Sequence, residues 1–82
     1  MVHQYSQQPQ KTRIAVLVFV KGSAAPIVMY VENPVTVYEE LKKILESGQN
    51  KLYEKECFGP IKKVSVLTGQ IAGLAIQEEI CL

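Results

Sequence analysis

Hydrophobic and polar positions alternate unevenly along this chain, and the densest apolar run is Ile14-Ala15-Val16-Leu17-Val18-Phe19-Val20. It is much shorter than a membrane helix requires, and its β-branched Ile14, Val16, Val18 and Val20 favour a strand over an ordinary helix. As a strand it shows those four side chains on one face and Ala15, Leu17 and Phe19 on the other. Both faces are apolar and both need cover, which places the strand in the middle of a sheet.

Taken in order, Met1–Gln10 is polar and glutamine-rich, without periodicity, and reads as a flexible tail over residues 1–11. After the first strand, Gly22-Ser23 supplies a turn, and Ala24 to Glu32 reads as a second strand. Pro26 cannot donate to a ladder, so this strand is the outer member of a hairpin. Val37, Tyr38, Leu41, Ile44 and Leu45 then recur at the spacing of one helical face, with Glu39, Glu40, Lys42, Lys43 and Glu46 opposite. Either Asn33 caps this helix with Pro34 at its first position, or Thr36 caps it with Glu39 three residues on. The two glutamates suit the helix dipole, Glu39 is spaced to pair with Lys43, and Gly48 is the expected left-handed end.

Lys51–Phe58 alternates only in part and reads as a peripheral strand or arm, broken by Gly59-Pro60. Ile61–Leu67 is a further strand, Thr68-Gly69 a turn with Gly69 at positive φ, and Gln70–Glu79 the last strand. The apolar end Ile80-Cys81-Leu82 is expected to dock against the body.

This order, β-β-α-β-β-β, predicts one two-layer α+β domain over residues 12–82, with a helix packed on a four- or five-stranded sheet. A β-grasp-like arrangement is preferred. In it the last strand runs parallel beside the first, so the two most apolar strands share the sheet centre. The alternative is an antiparallel ββαββ sheet whose helix links two hairpins.

At 82 residues and 48% hydrophobic, the chain has the composition of one small folded domain. A net charge of +1 excludes a dominant electrostatic partnership with nucleic acid or an acidic membrane and leaves little self-repulsion. The two cysteines, Cys57 and Cys81, follow no signal-peptide pattern and read as reduced thiols of a cytoplasmic protein. His3, the single histidine, sits in the tail without companions, so no metal, cofactor or nucleophile–base pair is expected, and the chain reads as non-enzymatic. The glutamate pairs Glu39-Glu40 and Glu78-Glu79 read as solvated charges, because neighbours in an element point apart.

What remains is surface. If the helix covers Ile14, Val16, Val18 and Val20, then Leu17 and Phe19 face away from it, with Leu74 and Ile76 as candidate additions to the patch. Leaving several such side chains in water is unfavourable, so this face or the edge beside it is expected to pair with another protein, most simply a second copy as a homodimer. Two other classes stand beside it. Lys51, Lys55, Lys62 and Lys63 around Tyr53 and Phe58 are candidates for single-stranded nucleic acid, although Glu54 and Glu56 interrupt the basic run. Tyr38, Tyr53 and Cys57 are candidates to line a small-ligand site between the helix and the Lys51–Phe58 arm.

Overall fold

The computed structural model describes residues 11–81. The tail from Met1 to Gln10, with His3, and the terminal Leu82 lie outside the described residues. The domain is α+β, with one helix and five strands in β-β-α-β-β-β order. The elements are β1 (Lys11–Val20), β2 (Ile27–Met29), α1 (Pro34–Ser47), β3 (Leu52–Glu56), β4 (Lys63–Leu67) and β5 (Ile71–Cys81), with a short 3-10 turn at Thr68–Gln70 before β5. Lys11 is therefore the first residue of β1, not the last of the tail.

The strands form two antiparallel sheets rather than one four- or five-stranded sheet: β2-β1-β5, and β3-β4. The division follows from the brevity of β2. Pro26 limits its start, and Asn33-Pro34 turn the chain into α1, so only Ile27–Met29 form its ladder. Among the described residues a single bridge, Tyr30 to Phe58, connects the two sheets, with the Phe58 N–H donating to the Tyr30 carbonyl at 2.9 Å.

The β-grasp-like pairing is corrected. β5 does lie beside β1, but it runs antiparallel, from Lys11↔Cys81 to Val20↔Ile71. The Lys21 N–H donates to the Gln70 carbonyl at 2.8 Å, which starts β5 beside the C-terminal end of β1. A strand that begins there and runs along β1 must be antiparallel. The two most apolar strands do not share the sheet centre: β1 is central, whereas β5 is at the edge.

The helix forms where its periodicity places it. Asn33 occupies the cap position with Pro34 beginning the helix, although the Asn33 side chain makes no capping bond, and Gly48 ends it at φ 75°. No acidic residue lies in the first turn, and Glu40 pairs across to Lys55 at 3.4 Å. Val37 and Leu41 are buried in a cluster with Val16, Val18 and Met29 of the larger sheet and Tyr53, Val64 and Val66 of the smaller one. Both sheets and the helix thus share one core, with Ile44 and Leu45 packed at its margin. Because Tyr53 belongs to that core, β3 is more than a peripheral arm.

Gly69 does not adopt positive φ, which among the described glycines belongs to Gly22, Gly48 and Gly59. Its lack of a side chain serves close approach instead. Its N–H donates to Asn50 Oδ1 at 3.0 Å, and a Cβ on Gly69 would lie 2.5 Å from that oxygen. Beside it, the buried Thr68 hydroxyl donates to the Gln49 carbonyl at 2.8 Å and accepts from the Lys51 N–H at 2.9 Å. These bonds fasten the α1–β3 loop to the start of β5.

Candidate functional site

The feature that stands out is the free side of β5. One flank of this 11-residue strand is paired along β1, and the other has no strand partner among the described residues. Its first part, Ile71 to Ile76, contains no charge and no proline, two of the usual devices that stop a sheet edge from recruiting another strand. Only Gln77-Glu78-Glu79 blunts it, toward its end. Ile76 and Ile80 are 40% and 57% exposed. Ile80 therefore does not dock on the body as the apolar terminus was expected to, while Cys81 pairs with Lys11 and is half-buried.

The four side chains expected to form one apolar face do not share one. Directly opposed residues of an antiparallel pair lie on the same face. Leu17 opposes Val28 and Ala75, and Phe19 opposes Gly73. Leu74 opposes Val18 and Ile76 opposes Val16, both on the helix side of the sheet. Leu74 packs at the margin of the core and Leu17 is half-buried, while Phe19 is 39% exposed. The face away from the helix thus offers Phe19 more than a broad patch, whereas the edge offers a continuous backbone.

That same face carries a polar knot. Arg13 lies over the Tyr30 ring at 3.9 Å, and its Nε donates to Glu79 Oε1 at 3.0 Å. The Tyr30 hydroxyl donates to the same oxygen at 2.9 Å, and Gln77 Nε2 donates to Glu79 Oε2 at 3.0 Å. Acceptance of these bonds, from Tyr30 first, holds the Glu79 carboxyl below its ordinary pKa. The bond to Glu79 raises the Tyr30 phenol and the Arg13 guanidinium. The knot joins β1, β5 and the residue that bridges to Phe58.

The basic and aromatic candidates for nucleic acid do not assemble into a stacking platform. Tyr53 is buried, donates to Glu40 Oε1 at 2.8 Å, and has its phenol pushed well up by desolvation and by that bond. Lys55 is held by Glu40, and Lys63 opposes Glu56 in the β3–β4 ladder. Phe58 is exposed and lies beyond the end of β3, next to Cys57, whose N–H donates to the Lys62 carbonyl. Lys51 sits at the other end of the strand, where its carbonyl accepts from the Thr68 N–H.

A groove of about 310 Å³ does lie between the start of α1 and β3, in the region read as a ligand site. Its walls are Val31, Glu32, Asn33, Thr36, Val37, Glu40, Lys55 and Glu56, so Tyr38, Tyr53 and Cys57 do not line it. Lys55, the one cation among the lining residues, is engaged by Glu40. Burial raises the Cys57 thiol, which opposes thiolate chemistry, and Cys57 and Cys81 are both free. Among the described residues no three His, Cys, Asp or Glu side chains gather around a point where an ion could sit, and no helix is long and apolar enough to cross a membrane.

The chain matches no protein-family model, no curated protein and no solved structure.

Sequence reasoning missed the edge because the apolar content of Ile71–Ile76 reads as a central strand. The change at Gln77-Glu78-Glu79 was the available signal, since three polar residues in succession suit a strand that is open on one side.

Proposed function

We propose that this chain is a small non-enzymatic protein–protein interaction module that self-associates by strand addition along the open side of β5. The observation that carries the reading is an 11-residue edge strand whose outer backbone groups have no partner strand among the described residues. Such an edge offers a row of N–H and C=O groups to any extended segment, and main-chain bonds supply the affinity. A second copy is the simplest partner, because a net charge of +1 sets up little repulsion between like molecules. A domain of this size also gains stability by sharing a sheet.

Sedimentation velocity across a micromolar concentration series tests this. The expected result is a concentration-dependent shift from monomer to dimer. A compact monomer at every concentration overturns it.

A further inference from the structure

Resting on that reading, we infer that two copies pair β5 antiparallel to β5, with the two-fold axis passing at Ile76. Successive residues of a strand turn their N–H and C=O groups to alternate sides. Two copies of one edge can therefore bond only with residues of the same parity opposed, and the axis must pass at a residue rather than between two. Three features of β5 then select among the residues.

Length is the first. Ile76 is the midpoint of Ile71–Cys81, so an axis there sets the two ends of the strand against each other. Charge is the second. An axis at Glu78 or Glu79 sets carboxylate against carboxylate, which disfavours pairing. An axis at Ile76 sets Glu78 opposite Leu74 and Glu79 opposite Gly73, so no carboxylate faces another. The third feature is the irregularity near the start of β5. Phe19 pairs with Gly73 and Val20 with Ile71, so Ala72 is bulged. With the axis at Ile76 the regular ladder from Gly73 to Glu79 is self-contained, whereas an axis at Ala75 pushes Glu78 onto the bulged Ala72. The Ile76 axis also brings together two side chains that are each 40% exposed in the single chain.

Disulfide trapping tests the register. In a background carrying Cys57→Ser and Cys81→Ser, Ile76→Cys and Glu78→Cys are oxidised mildly and compared on a non-reducing gel, with sedimentation run on the same samples. Cα atoms of directly opposed residues in an antiparallel pair lie about 4.5–5.5 Å apart, within the disulfide range of roughly 4.4–6.8 Å. Two copies of residue 78 would be offset by four strand positions, or about 14 Å, and out of reach.

The expected result is a doubling of chain mass for Ile76→Cys and none for Glu78→Cys. A covalent dimer from Glu78→Cys alone, or from neither variant while sedimentation still reports a dimer, overturns the register and leaves self-association standing. A monomer in sedimentation removes both and leaves the edge to a different chain. Both substituted positions are exposed, and circular dichroism matching the parent shows that each variant folds.

Discussion

Tyr30 and Glu79 meet on the face of the larger sheet away from the helix, where the phenol hydroxyl donates to a carboxylate oxygen at 2.9 Å. They are 49 residues apart in the chain, and Arg13, lying over the ring and bonded to the same oxygen, joins them. The contact ties the strand that carries the open edge to the residue that bridges the two sheets.

This knot makes stability depend on acid. The folded Glu79 carboxyl titrates below its ordinary value of 4.5. Its contribution is therefore fully present above the unfolded value and is lost as pH falls through the lowered folded one. In Glu79→Gln the same acid step in the urea midpoint is expected to be smaller than in the parent. Equal acid steps in the two proteins would count against the knot.

Leu41 is fully buried where the helix meets both sheets. Leu41→Ala is expected to cost about 2–5 kcal/mol by cavity formation. Leu52→Ala, at a site 57% exposed, is expected to change stability by less than about 0.5 kcal/mol. Chemical denaturation of the two variants checks the contrast.

Gly69→Ala forces its Cβ against Asn50 Oδ1 and is expected to cost about 1–3 kcal/mol. Asn50→Ala removes both the obstruction and the bond to the Gly69 N–H. The double variant should therefore lose less than the sum of the two single losses. Strict additivity in a double-mutant cycle would show that the close approach does not matter.

Ile76→Lys puts like charges face to face at the inferred axis. The dissociation constant of the dimer is expected to rise roughly tenfold or more, about 1.4 kcal/mol, with little change in monomer stability. Equilibrium sedimentation reads the first quantity and denaturation at low protein concentration the second. An unchanged dissociation constant would place the contact elsewhere.

The sequence by itself determined the elements: the β-branched run at Ile14–Val20 specifies β1, the spacing of Val37, Leu41, Ile44 and Leu45 specifies α1, and Gly48 ends it. These are local statements, because side-chain period and backbone preference act over a few residues. Only the tertiary structure decided how the strands pair. Direction and neighbourhood depend on where each strand begins in space, and the Lys21–Gln70 bond places the start of β5 against the end of β1. The same pairing put Leu74 and Ile76 on the opposite face from Leu17 and Phe19, buried the Tyr53 ring, and left β5 open on one side. Apolar content does not distinguish a strand flanked on both sides from one flanked on a single side, since apolar side chains report the faces of a sheet and not its edges.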